Sequence, residues 1–146
     1  MEQIEMNISA SLFQVQFGTI AASCLAKAFY RVVTGEDAEY SSQFADAVEL
    51  AVGEACTNSV KHCPPSLVAT TKVQLIFKFG DKELIIHIKD CNSPFDFEKL
   101  PKPSYKELPE HGYGIHIMKE SMNQVNYRHE EGCNIITMCK RIPEEK

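Results

Sequence analysis

The hydrophobic pattern at the start of the chain predicts a strand followed by a long helix. Apolar residues alternate with polar ones at Ile4, Met6 and Ile8, which is the period of a half-buried strand. From about 13 to 33 the apolar residues recur every three or four positions, as they do on one face of an α-helix. Gly35 follows, and glycine commonly ends a helix in the left-handed conformation. We therefore expect the first helix to end at this glycine.

A second helical pattern runs from about 39 to 63 and stops at the proline pair that begins with Pro64. Its apolar stripe is formed by Phe44, Ala47, Val48, Ala51 and Ala55. Glu54, Asn58 and His62 project into the same arc of about 100°. The opposite side carries Asp46, Glu49, Gly53 and Thr57. Because buried charges and amides need partners, we expect this face to be both core and the floor of a cleft.

The rest of the chain predicts two hairpins and one short helix. The first hairpin has strands at roughly 72–79 and 83–89, the helix covers about 113–122, and the second hairpin turns at "EEG". The segment between them, "CNSPFDFEKLPKPSYKELPEHGYG", is long for a connection and predicts a functional lid or a disordered loop. The order β-α-α-β-β-loop-α-β-β predicts an α/β (α+β) fold, a two-layer sandwich with a mixed, mostly antiparallel sheet.

Length and composition indicate one ordinary globular domain over 1–146. The chain is 44% hydrophobic and 24% charged, with a net charge of −5, which argues against nucleic acid or an anionic membrane as a general partner. We see no apolar run long enough to span a membrane. The start, "MEQIEMNIS", lacks the basic and apolar regions of a signal peptide. We therefore expect a cytoplasmic location.

The cysteine content is high for a chain of this length. The six residues are Cys24, Cys56, Cys63, Cys91, Cys133 and Cys139. They form no C-x-x-C pair and no cluster with zinc-finger spacing. In a reducing cytoplasm we expect free thiols that act as small hydrophobic side chains. A thiol-based sensor is an alternative that rests on the cysteine count alone.

Three short stretches carry candidate chemistry. Glu54 and Asn58 are four residues apart on one helix face, where a carboxylate can orient a nucleophile and an amide oxygen suits Mg²⁺. Asp90 ends a predicted strand and can accept a hydrogen bond from an amino group such as that of adenine. Gly112 and Gly114 lead into a helix whose N-terminus suits phosphate. Taken alone, each has an ordinary explanation as a surface pair, a turn-starting aspartate or a capping glycine.

The order and spacing of these stretches are more specific than any one stretch alone. The chain contains "ELAVGEACTNSVKH", a hairpin, "IKDCNSPFDF", a loop, "GYGIHIMKESMNQVNY" and "NIITMCKR". This arrangement resembles the Bergerat-type (GHKL, histidine-kinase-like) ATPase fold, which has its helices on one face of the sheet. Within that fold the likeness is greatest to the anti-sigma-factor serine kinases of the RsbW and SpoIIAB type. The resemblance implies ATP and Mg²⁺ as cofactors and transfer of phosphate to a serine of an antagonist protein.

The resemblance also implies roles for residues of the second helix. Glu54 matches the base or orienting carboxylate that faces the attacking hydroxyl. Asn58 matches the residue that holds Mg²⁺ between the phosphates. His62 matches a frequent histidine of the motif, for which no role is assigned. Phosphate transfer depends mainly on positioning and charge stabilisation, which such groups supply.

Further roles fall on the strands and on the loop. By resemblance, Asp90 binds the adenine amino group, and Gly112 and Gly114 let the loop and helix close on the phosphates. Thr137, in the last strand, matches a threonine that helps the adenine site, with its register left open.

The chain departs from the family pattern after the aspartate. D-x-G-x-G is usual there, whereas this chain has Asn92 and Pro94 at the glycine positions. Asn92 tolerates left-handed geometry better than most residues, so the turn and an adenine contact can survive. Pro94 removes a donor and fixes φ. This departure predicts weakened nucleotide binding, or its loss with the fold kept.

Two functions from different classes therefore remain open. The first is an ATP-binding anti-sigma regulatory factor that phosphorylates an antagonist. The second is a non-catalytic, partner-switching binding module with weak or absent nucleotide binding. Both imply a sigma factor or an anti-anti-sigma protein as partner, without direct nucleic-acid or membrane binding. The first strand and helix are the expected interface of a possible homodimer.

Overall fold

The computed structural model describes residues 1–35, 39–94 and 113–144, apart from the Tyr113 side chain. Its elements are β1 (Glu2–Ser9), α1 (Leu12–Thr34), α2 (Glu39–Lys61), a 3₁₀ turn (Pro65–Leu67), β2 (Lys72–Phe79), β3 (Glu83–Asp90), α3 (Tyr113–Ser121), β4 (Gln124–Glu130) and β5 (Cys133–Arg141). This order confirms the predicted sequence of strands and helices. The second helix ends two residues earlier than predicted.

The five strands form one sheet in the order β1-β2-β3-β5-β4, and every described pair is antiparallel. Along β2 and β3 the side chains alternate between buried and more exposed positions, so one face of the sheet carries the core. Helices α1 and α2 pack against each other over that face. The predicted two-layer fold class is confirmed.

Both ends of α1 are capped by residues of the expected kind. Ser11 is the N-cap, and its hydroxyl accepts a hydrogen bond from the backbone N–H of Gln14. Gly35 has φ 72°, and its N–H donates to the carbonyl of Arg31 at 2.8 Å. Because φ is positive, a residue with a Cβ is disfavoured there. The predicted end of the first helix is confirmed.

By length and composition, α1 is apolar enough to cross a membrane, which the sequence analysis did not expect. In the structure one face of this helix is buried, at Val15, Ala22 and Phe29, and 28% of its apolar window is buried. A Cβ at Gly18 would lie 3.3 Å from Leu75 of β2, so the helix lies close to the sheet. One such helix is weak evidence of a membrane span, because the core helix of a soluble protein and an N-terminal signal sequence meet the same length and composition criteria.

The buried stripe of α2 is wider than predicted and is rotated. It consists of Ser41, Phe44, Ala45, Val48, Ala51, Val52, Ala55, Cys56 and Ser59. Glu54 and Asn58 lie half-buried at its flank, and His62 is exposed. Glu54 and Asn58 thus lie at the edge of the buried face, whereas the expectation that His62 shares this face is wrong. Since α2 packs against α1 as well as the sheet, Val52 and Cys56 are covered too.

Helix α3 is fixed to the domain along its apolar face. Ile115, Met118 and Met122 are buried in the core. At the end of the helix, Lys140 Nζ donates to the carbonyl of Ser121 at 2.7 Å, and burial lowers the pKa of this amine. These contacts fix α3 on the core and at its C-terminal end.

Two of the six cysteines are bonded to each other. Cys91 and Cys133 form a disulfide, with their Cα atoms 4.0 Å apart. The register of β3 and β5 ends at the pair Asp90–Asn134, so the two cysteines face each other one position beyond it. The expectation of six free thiols is wrong for this pair. Their 42-residue separation gave no local signal, because only the β3–β5 pairing brings them together.

Candidate functional site

Glu54, Asn58 and Gly114 meet where α2 faces the first turn of α3. A Cβ added to Gly114 would lie 2.8 Å from Glu54 Oε2 and 3.7 Å from both Oδ1 and Nδ2 of Asn58. Real Cβ atoms essentially never show contacts under 3.0 Å. The backbone of α3 thus approaches the carboxylate and the amide more closely than a side chain at this position permits. The structure brings these three predicted residues together.

The side-chain nitrogen of Asn58 has no hydrogen-bond partner among the described residues. This atom, Nδ2, is buried. A buried amide that donates no hydrogen bond is costly and calls for an explanation such as a ligand. Phosphate oxygens accept such bonds, and Oδ1 on the same side chain can ligate a cation.

The residues present fit Mg²⁺ carried by a nucleotide better than a protein-only metal site. No group of three or more histidine, cysteine, aspartate or glutamate side chains that could hold a metal occurs in the part of the chain that the structure describes. Mg²⁺ usually takes one or two protein oxygens together with substrate phosphates and waters. A single amide oxygen beside one carboxylate meets that requirement.

Asp90 lies at the end of β3 in a closed polar network. Its side chain is only 5% exposed. Ser59 Oγ donates to Oδ2 at 2.6 Å, while Asn92 N and Asn134 Nδ2 donate to Oδ1 at 3.1 and 2.9 Å. Ser59 directly follows Asn58 on α2. The network therefore joins the amide region of the site to the predicted adenine carboxylate.

Asn134 is the site residue that the sequence analysis missed. It is 1% exposed, and besides Asp90 its Nδ2 contacts the carbonyls of Asn92 and Ser93 at 3.2 and 3.1 Å. Its Oδ1 accepts from Tyr127 Oη at 2.5 Å and contacts His129 Nδ1 at 3.0 Å. The signal for it was the pairing of β3 with β5, which places Asn134 opposite Asp90.

Thr137 does not belong to this cluster. Its Oγ1 lies 2.8 Å from Nδ1 of His87, its direct partner across β3 and β5. Side chains alternate between the two faces of a strand, so Thr137 faces away from the side on which Asn134 contacts Asp90. Burial, followed by the nearby charges of Lys78 and Arg128, lowers the pKa of His87.

Asn92 keeps the turn after Asp90 in a different way from the expected one. Its backbone N–H donates to Asp90 Oδ1, and its Nδ2 donates to the carbonyl of Ser59 at 3.0 Å. Among the described non-glycine residues, positive φ occurs at Glu131 and nowhere else. Asn92 therefore does not use the left-handed geometry that was expected to preserve the turn. Its side chain supplies an additional tie to α2 instead.

Gly112 and the lid segment lie outside the described residues, so the structure says nothing of their placement. Gly114 is therefore the member of the predicted G-x-G pair that can be located.

Cys56 is a free thiol on α2, two residues before Asn58 in sequence, and it is fully buried. Burial, with a smaller contribution from the Asp90 charge, raises the pKa of this thiol to about 12.

Comparison with known proteins bears on the site as a whole. Residues 22–140 match the family described as the histidine kinase-like ATPase domain. Over 107 residues the chain is 28% identical to the serine-protein kinase RsbW of Bacillus thuringiensis (strain Al Hakam), and over 108 residues it is 30% identical to the RsbW of a Bacillus anthracis strain. Each match covers 68% of this chain and 65% of the relative. The chain thus spans about 65% of the length of these curated relatives.

A solved structure supports the same architecture. A crystal structure of RsbU and RsbW domains from Mycobacterium tuberculosis matches with a TM-score of 0.62 and 12% identity. The match covers 97% of this chain and 32% of that one. At this identity the likeness concerns the fold alone, and it extends over almost the whole chain.

Proposed function

The chain belongs to the histidine kinase-like ATPase family, and from that membership we propose that it binds ATP with Mg²⁺ and transfers phosphate to a serine of an antagonist protein. The observation that carries this proposal is the meeting of Glu54, Asn58 and Gly114 around a buried amide nitrogen that has no hydrogen-bond partner among the described residues. The name of the RsbW relatives, serine-protein kinase, supports the same reaction. The proposed role is that of an anti-sigma regulatory factor.

The two side chains on α2 have complementary roles in this proposal. Asn58 holds Mg²⁺ through Oδ1, and its Nδ2 donates to a phosphate oxygen. When bound, Mg²⁺ would neutralise the negative charge of the phosphates. Glu54 orients the serine hydroxyl and accepts its proton. Both groups are fixed by α2, so that the reaction depends on positioning more than on covalent chemistry.

Helix α3 provides the phosphate-facing backbone. Its first turn presents N–H groups without partners in the helix and the positive end of the helix dipole. Gly114 allows this turn to lie against Glu54 and Asn58. Gly112 is proposed to extend the same phosphate-binding backbone into the preceding loop.

Asp90 is proposed to select adenine. A carboxylate accepts a hydrogen bond from the exocyclic amino group of adenine, whereas guanine has a carbonyl oxygen at that position. Ser59, Asn92 and Asn134 orient the carboxylate through the bonds that they donate to it. In this role Asn134 takes the place that the resemblance gave to Thr137.

The proposed partners are a sigma factor and an anti-anti-sigma antagonist, in the cytoplasm. A homodimer through the first strand and helix is part of the proposal. Its support is the exposed apolar face of α1, where Phe13, Phe17 and Ile20 are 68%, 54% and 57% exposed, beside the edge strand β1.

A non-catalytic binding module is the second candidate function. The observation that favours it is the state of Asp90, whose two oxygens already accept three hydrogen bonds from the protein. A carboxylate has about four lone-pair positions, so little capacity remains for a nucleobase.

Calorimetric titration of the full chain with ATP, with and without Mg²⁺, separates the two candidates. We expect saturable binding that requires Mg²⁺ and is lost in Asn58→Ala. The matched control is Asn126→Ala, which removes an exposed amide from β4 and should bind as the parent does. Absence of binding at millimolar ATP would favour the non-catalytic module.

Phosphate transfer is tested with radiolabelled ATP and an antagonist protein that carries the acceptor serine. Glu54→Ala should bind MgATP normally and transfer phosphate far more slowly. Unchanged transfer by this variant would contradict the role given to Glu54.

A further inference from the structure

We propose that Cys91 and Cys133 form a reversible thiol–disulfide site that determines whether Asp90 is open to a nucleobase. The reactant class is a dithiol reductant, and the oxidised chain is the closed state. This inference rests on the proposed nucleotide function. It assigns to that site a redox control that is independent of the phosphate-binding residues.

The disulfide is placed directly at the adenine carboxylate. Cys91 follows Asp90, and Cys133 precedes Asn134. Asp90 and Asn134 are themselves the last paired residues of β3 and β5. The covalent bond therefore closes the ends of these two strands immediately beside the Asn134–Asp90 hydrogen bond of 2.9 Å.

In the oxidised chain the carboxylate is occupied by the protein. Three donors use three of its roughly four lone-pair positions, and Asp90 is 5% exposed. The Asn134 bond is the one that links Asp90 to the facing strand. An incoming amino group must therefore use the one remaining position, on Oδ2, or displace the Asn134 bond from Oδ1.

Reduction weakens the Asn134–Asp90 hydrogen bond more than the bonds from Ser59 and Asn92 to the same carboxylate. Two thiols are no longer held at bonding distance, so the strand ends at Cys91 and Cys133 must separate to give both sulfur atoms room. Asn134 Nδ2 has two hydrogens but contacts three acceptors, which are Asp90 Oδ1 and the carbonyls of Asn92 and Ser93. When the strands separate, Asn134 moves away from the whole segment that carries these acceptors, and Asp90 Oδ1 loses its donor on β5. Ser59 still holds Oδ2 from α2, so the freed carboxylate stays in position.

A reductant can reach one of the two sulfur atoms of the disulfide. Cys91 is exposed, whereas Cys133 is buried. A thiolate of the dithiol attacks the Cys91 sulfur, the S–S bond breaks, and the Cys133 thiolate leaves and takes a proton. The second thiol of the reductant then attacks the mixed disulfide and releases Cys91. Two electrons and two protons pass to the protein, and the reductant becomes a disulfide.

Other cysteines do not compete for this exchange. Cys56 is 0% exposed, and its pKa is raised to about 12, so it is not a thiolate near neutral pH. Cys24 is exposed and free, but it lies on α1, away from the strand ends. It offers the matched control for thiol effects that do not involve Asp90.

The test compares oxidised and dithiothreitol-reduced full chain by calorimetry with MgATP. We expect reduction to tighten binding about tenfold, which corresponds to 1.4 kcal/mol. Cys24→Ser should keep this response. Cys91→Ser/Cys133→Ser should bind as the reduced chain does under both conditions, and Cys91→Ser alone replaces it if the double variant does not fold. Alkylation of the oxidised chain in denaturant without reductant, followed by mass spectrometry, should leave two cysteines unmodified, Cys91 and Cys133.

The outcomes separate this proposal from the nucleotide function. Equal affinity in both redox states, or tighter binding by the oxidised chain, overturns the redox control and leaves the nucleotide function standing. Free thiols at 91 and 133 after oxidation also overturn it. Absence of MgATP binding in both redox states overturns both proposals together.

Discussion

Replacing Gly114 with alanine should slow phosphate transfer without unfolding the protein. The added Cβ would lie 2.8 Å from Glu54 Oε2, whereas ordinary van der Waals contact begins at 3.4 Å. The carboxylate oxygen must therefore move by about 0.6 Å, the difference between these distances. It is the far end of a flexible side chain, and α3 is fixed by its buried apolar face, so Glu54 moves and the helix does not. Asn58, at 3.7 Å, is undisturbed.

The size of the effect follows from that displacement. A misplacement of 1 Å in a reacting geometry can cost about 100-fold in rate, so about 0.6 Å should reduce kcat by roughly tenfold or more. Alanine favours a helix over glycine by up to about 1 kcal/mol in a helix interior. The Tm should therefore stay the same or rise slightly. Binding of MgATP should change little, because Asn58 keeps its position.

The assay measures kcat for transfer of labelled phosphate from ATP to the antagonist protein at saturating MgATP, beside thermal unfolding of the same preparation. Gly53→Ala is the matched control: it is the same substitution next to Glu54 in sequence, and its Cβ meets Thr19 of α1 at 3.2 Å rather than the carboxylate. It should retain the parental rate. A Gly114→Ala variant with unchanged kcat would refute the claim that the close approach of α3 positions Glu54.

Three other predictions concern stability and assembly. Ser59→Ala removes a donor from the buried Asp90 carboxylate and should lower the free energy of unfolding by about 1.5–3 kcal/mol, measured by urea denaturation; a loss within error would show that the Ser59 bond is not formed. Because the pKa of folded His87 is lowered from 6.5, the unfolded chain binds that proton more readily, and stability should fall as the pH drops below about 6.5. The measurement is the difference in the urea midpoint of unfolding between about pH 7.5 and pH 5.5. This difference should be smaller in His87→Gln and unchanged in the exposed control His116→Gln. Phe17→Ser should shift the sedimentation of a homodimer towards monomer, and a parental chain that sediments as a monomer would contradict that interface.

Much of the fold was predictable because the elements are locally encoded. The alternation at Ile4, Met6 and Ile8 predicted β1, and Gly35 marked the end of α1. The i, i+4 spacing of Glu54 and Asn58 also placed two site residues side by side without any tertiary information.

The unpredicted features depend on contacts between distant segments. Asn134 and the Cys91–Cys133 bond arise from the pairing of β3 with β5, across 42 residues for the cysteines. Thr137 and Asn134 are three positions apart on β5, so their side chains lie on opposite faces of the sheet. The register that the sequence left open for Thr137 is set by the β3–β5 pairing. The wider stripe of α2 likewise reflects packing against α1, which helical periodicity alone does not contain.

Stability alone does not explain the two polar groups at the centre of the site. A buried carboxylate is costly even when it is hydrogen-bonded, and apolar replacements of such groups are often neutral or stabilising. Asn58 Nδ2 is buried without a partner in the described part of the chain, and that also costs free energy. Ser59 connects the two, since it follows Asn58 on α2 and donates to Asp90. A ligand that offers an amino group at one end and anionic oxygens with a cation at the other can contact both groups, and MgATP is such a ligand. The substitutions after Asp90 belong to the same network, because Asn92 bonds both the carboxylate and Ser59. This supports a nucleotide site that is remodelled and held closed over one that is lost.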